Sequence, residues 1–178
     1  MTKSEHDMKN NIVLIGMMGA GKSSVAQLLA KNLPEFTLCD VDWLIENDEK
    51  MPISEIFEKF GEGKFRELET KKLEEIANKT NQIIATGGGA FENPFNRKLL
   101  LENGSVFYLK ASAEELFDRI KSQTHRPLLQ KGFGVEKIRE ILEIRQTNYE
   151  KAHFVIDTTS KSFYNIVNEI LRNREINE

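Results

Sequence analysis

Residues Gly16, Met17, Met18, Gly19, Ala20, Gly21, Lys22 and Ser23 form the pattern Gly-x-x-x-x-Gly-Lys-Ser. Glycines let a backbone wrap closely enough around an anion for successive N–H groups to point at phosphate oxygens. In that arrangement Lys22 would reach the β- and γ-phosphates of a nucleotide, and the Ser23 hydroxyl would ligate Mg²⁺. A chance glycine-rich turn is the competing reading. The context favours chemistry, because an aliphatic run at 12–15 precedes the loop and Val25, Leu28, Leu29 and Leu33 recur at helical spacing after it. The loop accounts for nucleotide binding and is silent about an acceptor.

Four further features carry chemistry. Asp40-Val41-Asp42 follows a strand-like segment, which puts two carboxylates at the edge where open α/β sheets bind ligands. Thr86-Gly87-Gly88-Gly89 follows another, and three glycines allow close backbone approach to a ligand. Paired aspartates also cap helices and glycines also turn chains, so both readings stay open for each. Arg145 continues the stripe of Ile138, Ile141 and Leu142, so a guanidinium stands on an apolar helix face. Such a charge either snorkels to water or needs an anion, since unpaired burial is costly. Arg126, beside Pro127, is the fourth, with solvated loop charge as its alternative.

These residues need a scaffold. Short apolar runs at 12–15, 36–39, 82–86, 105–109 and 153–157 read as strands. Helical periods fall between and after them at 41–48, 53–60, 63–79, 94–103, 113–122, 135–149 and 163–172. Pro94 suits a first helical turn, and Ser112 with Glu115 resembles a capping box. Phe163, Ile166, Val167, Ile170 and Leu171 share one face of the last helix. This alternation predicts a three-layer α/β/α fold around a parallel sheet of about five strands. A small helical region at 40–70 would carry acceptor contacts, and the loop-like stretch 123–134 would form a lid.

The 178 residues suit one domain, with 39% hydrophobic and 30% charged residues as in ordinary globular chains. A net charge of -3 gives no electrostatic reason to expect nucleic acid. Cys39, the only cysteine, excludes an intramolecular disulfide and reads as a small core residue. No apolar run approaches a membrane span, and the polar start 1–10 lacks a signal peptide's apolar stretch. A cytoplasmic monomer is the expectation.

From residue 10 onward the chain resembles the shikimate kinases, small members of the nucleoside-monophosphate-kinase-like P-loop group. The resemblance rests on GMMGAGKS, CDVDWLIE, GEGKFRELE with Arg66, ATGGGA, RPLL at Arg126, and Arg145 with Tyr149 ahead of FVIDT. It implies a P-loop fold and ATP-dependent phosphorylation of the 3-hydroxyl of shikimate, with Mg²⁺, on the route to aromatic amino acids. By that resemblance Asp42 holds the acceptor hydroxyls and acts as base, and Asp40 positions Mg²⁺ through water. Arg66 and Arg145 clamp the shikimate carboxylate, and Gly87, Gly88 and Gly89 line its pocket. Gly19, Ala20, Gly21, Lys22, Ser23 and Ser24 hold ATP, Arg119 lies near adenine, and Arg126 closes onto the transferring phosphate.

The chain departs from the family pattern at Pro52-Ile53-Ser54, which alters helix capping, and at Lys161 and Phe163, where some relatives carry Arg and Pro. Trp43 is expected to pack, and His6, His125 and His153 show no metal-ligand spacing. A gluconate kinase is the nearest rival, since its acceptor also carries a carboxylate and hydroxyls. A nucleoside-monophosphate kinase fits the acceptor side less well, and a non-catalytic nucleotide-binding module is the rival of a different class.

Overall fold

The structure is a computed structural model that describes residues 10–121 and 134–175. The expected lid at 123–134, with His125, Arg126 and Pro127, lies outside the described residues except for Gly134, and so does His6.

Five strands form one parallel sheet: β1 (Ile12–Ile15), β2 (Thr37–Asp40), β3 (Gln82–Ala85), β4 (Ser105–Lys110) and β5 (Phe154–Asp157). Their order across the sheet is β2-β3-β1-β4-β5. Ile12 pairs with Ile83 on one side and with Ser105 on the other. The helices are α1 (Lys22–Asn32), α2 (Val41–Glu49), α3 (Ile53–Ala77), α4 (Pro94–Asn103), α5 (Ala113–Lys121), α6 (Val135–Tyr149) and α7 (Phe163–Glu175).

The continuous aliphatic run of β1 follows from its central position, because a parallel strand covered on both faces has no polar side. Ile12 and Leu14 enter the layer packed by α1, α5 and α7, while Val13 and Ile15 enter the layer packed by α2, α3 and α4. Helix α6 serves both, with Ile138 in the first layer and Tyr149 in the second. At the amino-terminal edge the Asn11 side chain, almost fully buried, donates to the carbonyls of Ala77, Lys79 and Asn103 and accepts from the Gln82 N–H. At the carboxyl edge the connections diverge at β1 and β3, one leading to β2 and the other to β4 on the opposite side, which opens the crevice where such sheets bind ligands.

Several expectations are corrected. Strand β2 starts at Thr37, so Asp40 closes it and also caps α2, its side chain accepting from the Trp43 N–H. The two helices expected at 53–60 and 63–79 are both present within α3, meeting at a kink at Gly61, whose φ of 79° and ψ of 170° leave the helical region. The Pro52 opening supplies no side-chain cap; instead the Ile53 N–H donates to Glu46 at 2.9 Å. A 3-10 turn at Ala90–Glu92 follows the glycines, where none was expected. The capping box is half formed: Ser112 accepts from the Glu115 N–H, but Glu115 turns to the Ser160 N–H. Trp43 is 61% exposed rather than packed, because Val41 and Ile45 occupy the inner face of α2. Phe163 is 38% exposed, unlike Ile166, Val167 and Ile170 on the same helix, which are buried. His153 precedes β5 and its Nδ1 accepts from the Val106 N–H, while burial lowers its pKa, a neutral structural role. Cys39 is buried as expected.

Candidate active site

The phosphate loop runs from the end of β1 into the first turn of α1. Gly21 sits at φ 89°, and a Cβ there would stand 2.6 Å from Cε1 of Phe163. The positive φ favours glycine because L-residues are strained in that region, and a side chain there would also have to displace the Phe163 ring that backs the loop. The Lys22 ammonium donates to the carbonyls of Gly16 at 2.8 Å and Met17 at 3.0 Å, which folds it across the loop. Ala20 is buried beneath this turn, its N–H on the Met17 carbonyl, and Ser24 is half-buried in the first turn of α1.

Asp40 and Asp42 take different directions from the strand end. The Ser23 hydroxyl donates to Oδ2 of Asp40 at 2.5 Å, bringing two hard oxygen groups together beside the loop. Such groups suit Mg²⁺, an ion that usually keeps water and phosphate oxygens as its remaining ligands. Among the described residues no group of three or more His, Cys, Asp or Glu gathers to hold a metal alone. Asp42, in the first turn of α2, reaches the second glycine loop instead, with Oδ1 3.1 Å from where a Gly87 Cβ would stand.

The glycine loop is fastened at its start by Thr86, whose N–H and hydroxyl both donate to the Leu14 carbonyl. Its glycines then make room for charged side chains. A Cβ on Gly89 would lie 2.6 Å from Nη2 of Arg66, and one on Gly87 would lie 2.5 Å from Oε1 of Glu69. Arg66 is thus held against the loop, its Nη1 on Glu69 at 2.8 Å and its Nη2 on Glu62 at 3.0 Å. Glu69 is fully buried. Burial raises its pKa above the ordinary carboxyl value, while the Arg66 guanidinium opposes that shift.

Arg145 is half-buried and points into this space, its Nη1 3.9 Å from Sδ of Met17 and 3.6 Å from the Cβ position of Gly88. One turn later the Tyr149 hydroxyl donates to the Gly88 carbonyl. A cavity of about 60 Å³ joins the halves, lined by Met18, Gly19, Lys22, Ser23, Asp40, Asp42, Thr86 and Gly88. A larger cavity of about 300 Å³ opens between Lys161, Asn165, Asn168, Glu169 and Arg172, with no residue from either glycine loop. We place the chemistry in the smaller one because the phosphate loop and the two aspartates converge there.

The structure therefore brings together Gly19, Lys22, Ser23, Asp40, Asp42 and Gly88 around one cavity, with Arg66 and Arg145 against its glycine wall. Arg119 stands apart on α5, its Nη2 donating to the Thr158 carbonyl at 3.3 Å. Arg126 lies outside the described residues. Sequence reasoning missed Glu69; its signal was an acid three residues after Arg66 on one helix, the spacing at which side chains meet.

A parallel sheet with a glycine phosphate loop at its switch point, and carboxylate and arginines across a shared cavity, defines a P-loop kinase with a small anionic acceptor. The shikimate kinase family model matches residues 18–175. A shikimate kinase from Thermodesulfovibrio yellowstonii is 46% identical over 165 residues, covering 93% of this chain and 95% of that one. The solved structure of a shikimate kinase from Acinetobacter baumannii in complex with shikimate superposes with a TM-score of 0.89 at 36% identity, covering 97% of this chain and 96% of that one. A gluconokinase from Sinorhizobium meliloti, at TM-score 0.63 and 17% identity over 94% of this chain and 93% of that one, shares the fold alone. The chain belongs to the shikimate kinase family.

Proposed function

We propose that this chain transfers the γ-phosphoryl group of ATP to the 3-hydroxyl of shikimate. The observation that carries the reading is the single cavity lined both by Lys22 and Ser23 of the phosphate loop and by Asp42 and Gly88 of the acceptor side. A donor phosphate and an acceptor hydroxyl have to meet in one place, because phosphoryl transfer asks chiefly for alignment and charge neutralisation.

Asp42 accepts the proton of the 3-hydroxyl as that oxygen bonds to the γ-phosphorus. The bond from the γ-phosphorus to the β–γ bridging oxygen breaks, and ADP leaves. Lys22 exchanges its two loop carbonyls for β- and γ-phosphate oxygens. Arg66 and Arg145 approach from different helices, so a carboxylate held between them is fixed in orientation as well as charge. Ser23 and Asp40 would hold Mg²⁺, which when bound with ATP offsets phosphate charge. Arg126 is assigned to the transferring phosphate and Arg119 to the adenine side. Residues 1–178 are taken as one kinase domain working as a cytoplasmic monomer. No described helix is long and apolar enough to cross a membrane.

A coupled ADP-release assay with Mg²⁺-ATP tests the reading, using shikimate, gluconate, nucleoside monophosphates and no acceptor in parallel. Shikimate-dependent release is expected. Release with gluconate alone would transfer the assignment to that acceptor, and ATP binding without acceptor-dependent release would leave a nucleotide-binding module.

A further inference from the structure

Tyr149 is the last residue of α6, and Arg145 stands one turn before it. At that spacing two side chains share a helix face, and here both meet the same glycine. The Tyr149 hydroxyl donates to the Gly88 carbonyl, while Nη1 of Arg145 comes within 3.6 Å of the Gly88 Cβ position. The aromatic body is fully buried and rests on the Tyr108 ring, centroids 5.0 Å apart, which fixes where the hydroxyl can reach. Asn148 adds a second tie, its amide donating to Oε2 of Glu92 at 3.0 Å, so the end of α6 is held to the acceptor loop at two points.

We infer that Tyr149 is a positioning residue for the acceptor clamp: its hydroxyl sets the Gly88 peptide and the Arg145 guanidinium in one geometry. A phenol offers one O–H and oxygen lone pairs, so it donates to the carbonyl and keeps acceptor capacity toward the guanidinium beside it. Pinning the Gly88 carbonyl also fixes the plane of the Gly88–Gly89 peptide, and with it the wall against which Arg66 lies. Burial pushes the Tyr149 hydroxyl up to about 12, against the pull of Arg145, so it stays a neutral donor at working pH. The acceptor carboxylate then meets a preset site, which reduces the ordering cost of binding. This inference rests on the reading that Arg145 grips the acceptor carboxylate.

Tyr149→Phe tests it, since the ring and its packing remain and only the hydroxyl goes. The shikimate KM should rise about tenfold while the ATP KM stays at its wild-type value, the effect of losing one hydrogen bond tied to a charged group. Both KM values unchanged with a lower melting temperature would mean that the hydroxyl serves stability alone, and would overturn the inference. The carboxamide analogue of shikimate should bind wild type and variant equally weakly; an equal loss for analogue and acid would show that Tyr149 does not act through the carboxylate clamp. On an Arg145→Ala background Tyr149→Phe should add little further loss in shikimate KM, and full additivity would again reject the coupling. If the variant is unstable at assay temperature, ligand-induced melting shifts decide, with ATP stabilising it as in wild type and shikimate needing about tenfold more ligand for the same shift; equal shifts at equal shikimate would overturn the inference. Wild type that does not turn over shikimate would instead defeat the functional reading.

Discussion

The buried carboxylate of Glu69 accepts a hydrogen bond from Nη1 of Arg66 at 2.8 Å, and the same guanidinium lies where a Gly89 side chain would have to go. Arg66 is therefore held from behind by an acid and in front by bare backbone. Glu69→Gln keeps the shape and removes the charge. We expect the shikimate KM to rise about tenfold with the ATP KM unchanged, since charge-assisted hydrogen bonds are about twice as strong as neutral ones. An unchanged shikimate KM would show that Glu62 alone suffices to orient Arg66.

The same carboxyl makes stability depend on pH. Burial raises its folded-state pKa above the ordinary 4.5, with Arg66 opposing. Between the two values the folded chain holds more protons than the unfolded one, so this contribution is fully present below 4.5 and is lost as pH rises through the folded value. Urea unfolding from pH 4.5 upward should show wild type losing stability relative to Glu69→Gln. A constant difference across that range would show that Glu69 is not shifted upward.

Asp42 lines the cavity on the side facing Gly87. Asp42→Asn preserves its size and removes its basicity. Turnover should fall by about 10² to 10⁴, the usual yield of a placed general base, with ATP affinity by calorimetry at its wild-type value. Turnover at the wild-type rate would remove Asp42 from proton transfer. Trp43, the only tryptophan and 61% exposed one residue away, offers a fluorescence readout of acceptor binding in the same variant.

Gly21→Ala should weaken ATP binding by about tenfold or more, because a strained loop relaxes out of the cradle when empty and binding must restore the left-handed backbone, which costs an L-residue about 1–2 kcal/mol. The added methyl also meets Phe163 at 2.6 Å. Combining it with Phe163→Ala removes that clash and leaves the backbone strain, so the double variant should recover part of the affinity. Full recovery would show that the ring alone demanded glycine.

Asn11 stands at the opposite end of β1 from the phosphate loop. Its amide joins the ends of α3 and α4 to the start of β3. Asn11→Ala leaves several buried backbone groups without a partner and should cost on the order of 3 kcal/mol in urea unfolding. Both KM values should persist at low temperature. A shift in either would mean that the sheet transmits the damage to its far edge.

Much of this arrangement was legible in residue order, for physical reasons that also mark where legibility ends. Strand β1 and the phosphate loop were readable because a doubly covered strand is continuously aliphatic and a phosphate cradle needs glycine in sequence. The break at Gly61 fell where a two-helix reading had left its gap. Arg145 stood out because it interrupts an apolar stripe. Arg66 entered only through the family resemblance, since its partners on the glycine loop are distant in sequence and leave no periodic trace. Glu115 was misread for the same reason, because Ser160 competes for it from another element. Trp43 reads as a packing residue from its chemistry, yet Val41 and Ile45 fill the inner face of α2.

Between Asp40 and Asp42 sits Val41, with no exposed surface at all. That one side chain works as a dowel: the carboxylate before it answers to Ser23 and the one after it to the glycine wall. Because Val41 is fully buried between them, both carboxylates hang on one fixed piece of backbone, so any displacement there reaches the nucleotide side and the acceptor side at once. The alignment of donor and acceptor is thus set within a single tripeptide, whose middle side chain touches neither substrate.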